Sequence, residues 1–308
     1  MCKLTISVYD FMKKFSDEEA TRLYLEEKRW NDNPTCPTCG KLDKQYKQKR
    51  DGKPGYYLCN HCKLIYTVRT GTIFERSHVP LDKWLYTLYL VLIARKGISS
   101  LQLSKDIGVT QKTAWFMLQR IREACSNNND QFLNGIIEAD ETYIGGKESN
   151  KHASKKLNAG RGTVGKAIVF GMRERNGDFK GKVINNVSTE TIHTELNDAI
   201  KDCDSILCTD EHRSYIGNKF YHLTVNHSAK QFVDGMAHTN GIESVWSVLK
   251  RGYYGIYHSF SVKHLQRYVD EFAYRLNKGN VKNHVMDRID ALLEKAFSKH
   301  ITYANLIA

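Results

Sequence analysis

The chain has 308 residues, and lysine plus arginine outnumber aspartate plus glutamate by 46 to 34, which gives a formal charge of +12 and a sequence pI of about 9.2. That length holds two or three domains, one of them with a substantial core, and excludes a peptide hormone or a disulfide knot. The cations are spread along the whole chain and alternate with aromatics, as in Arg251, Tyr253 and Tyr254, so a nucleic acid is a better partner than a membrane surface.

No apolar run reaches the roughly 18 to 20 residues that span a bilayer. The longest, residues 84–94, is too short, and the start of the chain lacks a basic stretch followed by an apolar one. No membrane partner is expected. Of the eight cysteines, four fall in two close pairs, while Cys2, Cys125, Cys203 and Cys208 are scattered. This is unlike a disulfide framework and points to a reducing, cytoplasmic compartment.

In chain order, residues 1–30 carry apolar positions Phe11, Phe15, Ala20, Leu23, Tyr24 and Leu25 and predict one or two short helices ending near Trp30. Residues 31–76 are turn-rich, with Asp51-Gly52 and Pro54-Gly55 marking turns around extended pieces such as residues 56–58. Cys36-Pro-Thr-Cys39 and Cys59-Asn-His-Cys62 are separated by nineteen residues. Two such pairs flanking a segment with little core of its own predict one tetrahedral zinc site. Its role is structural, because four thiolates leave no open position for catalysis. His61 is a spare possible ligand. A module of this kind can orient DNA or brace a neighbour.

Residues 80–127 are helical. Apolar residues recur at helical spacing over residues 80–94, 99–107 and 110–124, with Gly108-Val109 as a turn between the last two. Ser99 and Thr110 can cap these helices, and Leu103, Ile107, Val109, Ala114 and Leu118 can pack between them, as in a helix-turn-helix. In a DNA-binding version Thr110, Gln111, Lys112 and Thr113 begin the recognition helix, with Arg120 and Arg122 available for phosphates. An ordinary αα-corner has the same pattern.

Past the polar linker at residues 126–131, residues 132–280 change to short β-rich runs at 136–144, 166–173, 179–187 and 205–209, with helices at 189–201, 240–251 and 262–277. A mixed tail, residues 281–308, follows. Asp140 lies inside the first of these strands and Asp210 at the end of the fourth. Glu243 comes thirty-three residues after Asp210, on a helix whose Ile242, Val245, Trp246 and Leu249 make an apolar stripe. Two acids on strands and a third on a packed helix can hold two divalent cations, and hard oxygen ligands suit Mg²⁺ or Mn²⁺. Asn240 and Glu243 also have the spacing of a capping box, which needs no metal. Glu138 and Glu141 read as flanking acids, with Glu138 the substitute ligand on the Asp140 face. The run 160–167 imitates a phosphate-binding loop, but Ala167 stands where Ser or Thr should be and a strand follows, so no nucleotide cofactor is expected. His222, His227 and His238 lack helical ligand spacing.

Residues 140–147, 209–215 and 238–251 together resemble the bacterial insertion-sequence transposases that have an N-terminal zinc ribbon and a ribonuclease H-like DDE catalytic domain. Residues 265–277, with Tyr268, Glu271, Phe272 and Arg275, are similar to that family's closing helix. The resemblance covers nearly the whole chain in order. It implies an α/β fold: a mixed-sheet catalytic domain preceded by the zinc ribbon and the helix-turn-helix domain. It also implies a catalytic set carried over as Asp140, Asp210 and Glu243, with Lys250 as a DNA contact. Some members of such families are described with asparagine as third ligand, and Asn240 lies one turn before Glu243, so both stay candidates. The implied activity is two-metal strand cleavage and strand transfer at the ends of a mobile element, with Lys147, Lys250 and Arg251 on the DNA backbone. The implied partners are terminal inverted repeats, target DNA and further copies of the chain at synapsis, in a bacterial, nucleoid-associated setting. A zinc-containing DNA-binding regulator with an inactive domain and a metal-dependent nuclease are the alternatives.

Overall fold

Two capped helices open the described chain. Ser7 accepts a hydrogen bond from the Asp10 amide (3.1 Å) and starts α1, Val8–Lys14; Asp17 accepts one from the Ala20 amide (2.8 Å) and starts α2, Glu18–Trp30. Phe11, Phe15 and Leu25 are buried as their spacing predicts, whereas Leu23 is exposed. This computed structural model describes residues 5–126, 132–146, 148–157, 163–202, 204–225 and 238–307.

Strands β1 (Gln45–Arg50), β2 (Lys53–Cys59) and β3 (Ile65–Tyr66) form an antiparallel sheet in that order. Asp51-Gly52 makes the expected turn, but Pro54-Gly55 lies within β2, at an irregularity where the pairing with β1 shifts register between Gln48 and Arg50. The ribbon is joined to α2 by an aromatic cluster: Trp30 meets Tyr57 and Tyr66 edge-on at 5.1 and 5.8 Å. The Tyr57 hydroxyl donates to Glu26 (2.8 Å), and Arg29 donates to the carbonyls of Val68 and Thr70 (2.8 Å each). Three helices follow, α3 (Leu81–Ile93), α4 (Ser100–Ile107) and α5 (Gln111–Cys125).

The next stretch is a five-stranded mixed sheet. Its strands are β4 (Ile136–Ile144), β5 (Ala167–Glu174), β6 (Phe179–Ile184), β7 (Ile206–Asp210) and β8 (Tyr221–Val225), in spatial order β6-β5-β4-β7-β8. The β4–β5–β6 meander is antiparallel, and β7 and β8 add in parallel beside β4. The sheet is mixed, as the resemblance implies. Helix α6 (Thr189–Ala199) covers one face, over Ile137, Ala139, Phe170, Met172 and Leu207. Helices α7 (Asn240–Gly252) and α8 (Leu265–Leu276) cover the other, where Val169 and Phe179 pack with Trp246, Leu249, Val269 and Phe272. Full burial of each such side chain contributes roughly 1.5–3 kcal/mol. The outer edge of β6 is closed by side-chain amides of α8 and its C-cap: Gln266 pairs with Val183 N–H (2.7 Å) and Gly181 C=O (3.1 Å), and Asn277 with both backbone groups of Phe179 (2.9 Å each).

The chain then forms α9 (Val285–Ser298) and α10 (Tyr303–Ile307). Its grouping differs from the expected series of modules. One compact unit is Met1–Ser126 together with Lys278–Ala308, and the other is Asn127–Asn277. The expected tail is a structural part of the first unit: Val285, Ile289, Leu292, Leu293 and Ala296 are fully buried. Arg288 donates to the Leu92 carbonyl (2.8 Å), Lys28 pairs with Asp290 (2.7 Å), and the Tyr24 hydroxyl donates to the same carboxylate. Short helices each have an apolar face too small to stand alone, and α9 packs against α2, α3 and α5.

Candidate metal and catalytic sites

The two cysteine pairs sit on matching knuckles. Cys36 N–H donates to Lys41 C=O (3.1 Å) and Gly40 N–H to Cys36 C=O (2.9 Å); Cys59 N–H donates to Leu64 C=O (3.0 Å) and Lys63 N–H to Cys59 C=O (2.8 Å). The four Sγ atoms lie within 4.8 Å of one another, and Cys36–Cys62 and Cys39–Cys59 are each 3.6 Å apart. A tetrahedron with Zn–S bonds of about 2.3 Å has sulfur–sulfur edges of roughly 3.8 Å, so the donor set fits zinc closely. The Cys59 thiol is held down, to about 6, first by the Cys62 backbone N–H, which favours the thiolate a metal needs. His61 is not part of this set; its Nε2 lies 3.1 Å from Asp43.

The carboxylates come from separate elements. Strands β4 and β7 run parallel with Glu138 opposite Cys208; Asp140 and Asp210 each lie two residues further on, past the last paired position, and Asp140 is on the sheet face that α7 covers. Asp140 Oδ1 accepts from the Glu141 amide (2.8 Å) and Oδ2 from the Trp246 indole N–H (2.9 Å). Burial, then the charges of Glu141 and Asp210, push the Asp140 carboxyl up to about 7. Asp210 Oδ1 accepts from the His212 amide (3.0 Å), a turn that closes the end of β7. Glu243 is exposed on the first turn of α7 and accepts from the Thr239 hydroxyl (3.3 Å).

A cavity of about 760 Å³ is lined by Asp140, Glu141, Glu243, Lys250, Arg251 and Tyr254, among others. Its walls thus carry two of the three expected ligands and two of the expected DNA contacts. Asp210 and Asn240 are not among its lining residues, although Asp210 is near enough for its charge to raise Asp140. Among the described residues the carboxylates do not close to the 4.8 Å spacing of the sulfurs. Two dications about 3.5–4 Å apart spread their ligands over a larger area than one ion does. Lys147 lies outside the described residues.

Several neighbours take roles other than those expected. The capping box is absent, because the N-cap is Thr239 and Asn240 is the first helical residue, with its side chain exposed. The orphan amide of Ile242 is satisfied instead by Glu138 Oε2 (2.9 Å). Glu138 is buried, and its Oε1 lies 3.2 Å from both Arg175 and His238, so it is not a substitute ligand. Glu141, expected only to flank, lines the cavity and accepts from the Tyr215 hydroxyl (2.7 Å), while burial raises its carboxyl. Trp246, counted in the apolar stripe, bonds Asp140; only its indole N–H, a donor that must be satisfied when buried, could have signalled this. His222 bonds Thr209 (2.8 Å), and His227 lies outside the described residues. The strand after the phosphate-loop imitation is β5, and residues 160–162 of that loop lie outside the described residues.

Comparison with known families places these features together. Residues 132–277 match the ISXO2-like transposase domain and residues 16–64 the transposase zinc-ribbon domain. Over these two spans the chain is similar to insertion-sequence transposases that carry a zinc ribbon. It is 28% identical over 253 residues to an uncharacterized protein in transposable element ISH50 of Halobacterium salinarum, covering 78% of this chain and 84% of the relative. Among solved structures, the Mos1 strand transfer complex is similar at 14% identity and a TM-score of 0.29, over 71% of this chain and 79% of that one. A pre-cleavage Mos1 transpososome is similar at 13% and 0.25, over 96% and 97%. Scores this low carry no shared arrangement over to this chain. The first domain match agrees with the unit Asn127–Asn277, and the zinc-ribbon match takes in α2, which packs on the ribbon.

The helix-turn-helix segment has the expected local geometry. Ser99 caps α4 by accepting from Gln102 N–H (3.1 Å), Gly108 turns left-handed at φ 62°, and Thr110 caps α5 by accepting from Thr113 N–H (3.2 Å). Thr110, Gln111 and Lys112 are exposed, and Thr113 is half-buried. Arg120 departs from expectation. It is buried and donates to the carbonyls of Ile73 and Glu75 (2.8 Å each), with its guanidinium 4.4 Å over the Phe116 ring. Arg122 is also buried. Both serve the interior of the unit because α5 is covered on every side over residues 117–122. Among the described residues no helix is long and apolar enough to cross a membrane.

Proposed function

We propose that this chain cuts DNA at the ends of a mobile element and joins the freed 3′ ends to target DNA, with Asp140, Asp210 and Glu243 as ligands for two Mg²⁺ or Mn²⁺ ions. The observation that carries this is the cavity in which Asp140 and Glu243 face Lys250 and Arg251, with Asp210 near enough for its charge to raise the Asp140 carboxyl. Crowded, partly buried acids that hold Asp140 near a pKa of 7 are a donor set in want of positive charge. Glu243 is a better third ligand than Asn240, because it lines the cavity and brings a charge.

When bound, the dications stabilise the charge that develops on the attacking and leaving oxygens of an in-line displacement. The chain's own residues hold and orient. Lys250 and Arg251 take the phosphate backbone, together with Lys147, so that binding is strongly salt-dependent. Water attacks phosphorus and the 3′ oxygen leaves as a hydroxyl; that hydroxyl then attacks a target phosphodiester, whose own 3′ oxygen leaves. No covalent link to the protein is needed. Thr110, Gln111, Lys112 and Thr113 read the terminal inverted repeats, and the relative in transposable element ISH50 supports such a substrate. Holding two ends at once calls for more than one copy of the chain.

Strand cleavage and joining with Mg²⁺, on DNA carrying the element's ends, tests this. The expected result is joined product from the natural chain and none from Asp140→Ala or Asp210→Ala. Equal joining by the variants refutes the mechanism, and cleavage without joined product makes the chain a nuclease.

A further inference from the structure

Helix α7 is fastened to β4 at two points whose spacings match. The Ile242 amide donates to Glu138 Oε2 and, four residues later, the Trp246 indole N–H donates to Asp140 Oδ2, each at 2.9 Å. Four residues of helix rise about 6 Å and two residues of strand about 6.7 Å, so both bonds form together in one register. A slip of one residue turns the helix by about 100° and breaks both.

The neighbouring strand is shaped for this contact. Directly across from Glu138 and Asp140 on β5 stand Arg173 and Gly171. A Cβ at Gly171 would overlap the Trp246 ring, and a Cβ at Gly241 would lie 2.5 Å from Glu138 Oε2. Arg173 donates to Gly241 C=O (2.6 Å) and the Ser244 hydroxyl (3.1 Å), which holds the same helical turn from the other side. The turn so held carries Glu243.

We infer that Glu138 and Trp246 are positioning residues of the carboxylate site: they set the register of α7 on β4, and so the placement of Glu243 relative to Asp140. The Trp246 N–H in addition decides how the Asp140 carboxylate is turned toward the cavity. This rests on the reading of Asp140 and Glu243 as metal ligands. A tryptophan that only filled the core would need its ring and not its N–H.

The test is Mn²⁺ binding to the full-length, zinc-loaded chain, followed by electron paramagnetic resonance, with thermal melting in parallel. Trp246→Phe keeps a ring and loses the donor. It is expected to weaken Mn²⁺ binding by about 10–100-fold, the usual scale for residues that orient a metal's ligands, with little change in melting temperature. Gly171→Ala, which displaces the ring from outside, should weaken binding similarly, and adding it to Trp246→Phe should cost little more. Unchanged Mn²⁺ binding in both variants overturns the proposal, as does a loss of binding that only follows a loss of melting temperature. Asp140→Ala separates the two levels: if it binds Mn²⁺ like the natural chain, the metal-site reading fails and the proposal with it. If Asp140→Ala loses binding while Trp246→Phe does not, the proposal alone fails.

Discussion

At the zinc ribbon, each of two short knuckles carries both of its own ligands, and the four sulfurs meet at tetrahedral spacing. At the carboxylates, by contrast, the acids come from β4, β7 and α7, which are far apart in sequence, and two of them, Asp140 and Glu243, line an open cavity rather than a closed cage. A closed site made by local turns suits a metal that only staples the fold. An open site assembled across a sheet leaves room for a substrate, at the cost of needing other residues to hold its parts in register.

The sharpest way to break this contrast is to remove one ligand from each site. Asp140→Ala or Asp210→Ala should take Mg²⁺-dependent cleavage to background while leaving one zinc per chain by elemental analysis and no loss of melting temperature. Cys36→Ser should do the reverse to zinc content and fold, since structural zinc binding in small peptides is worth about 10–16 kcal/mol. A Cys36→Ser chain with normal melting would show the ribbon to be held by its aromatic packing on α2 and not by metal.

Smaller effects separate the candidates within the open site. Glu243→Gln should lower cleavage by about 100-fold, on the order of losses at other charge-stabilising positions, and Asn240→Ala by only a few-fold. The reverse ranking, in the same assay, would make Asn240 the third ligand.

The pH dependence follows from Asp140. Its carboxyl is raised from 3.8 to about 7, so the metal-free folded state binds a proton that the unfolded chain has already released. That stabilisation is full below about pH 4 and is lost as pH rises through 7. Melting without divalent metal should therefore fall between about pH 4 and 7, and Asp140→Asn should flatten the fall. Mg²⁺ competes with the same proton, so apparent affinity should drop about tenfold per pH unit below 7. Mg²⁺ titrations at pH 6 and 7 that give the same affinity would contradict this.

The least disruptive pair compares two cations of α5. Arg120→Ala should destabilise the chain by about 1.5–3 kcal/mol through its buried carbonyl contacts, leaving the salt dependence of DNA binding intact. Lys112→Ala should leave melting unchanged and reduce the salt slope of DNA binding by about one. If Arg120→Ala alone changes the salt slope, Arg120 meets phosphate after all.

Much of the architecture was legible because it is locally encoded. The span of β4, the cap residues Ser99 and Thr110, the left turn at Gly108 and the cysteine knuckles all follow from short-range chemistry. Misreadings fell where a residue's role depends on what lies across from it. Pro54-Gly55 looks like a turn until β1 pairs with the residues on either side of it, Arg120 looks outward until the carbonyls of Ile73 and Glu75 are beside it, and β8 is short and carries little apolar pattern of its own. Residues 281–308 looked like a tail because an amphipathic helix does not say which surface it covers.

By itself the sequence determined the zinc ligands, the two aspartates on strands and the stripe that makes α7 amphipathic, since spacing and polarity act over a few residues. Only the tertiary structure decided that Glu138 is a helix cap, that Trp246 turns toward Asp140, and that Glu243 rather than Asn240 lines the cavity. Those outcomes depend on the register between a helix and a strand about a hundred residues apart, and side-chain contacts at that separation are set by packing.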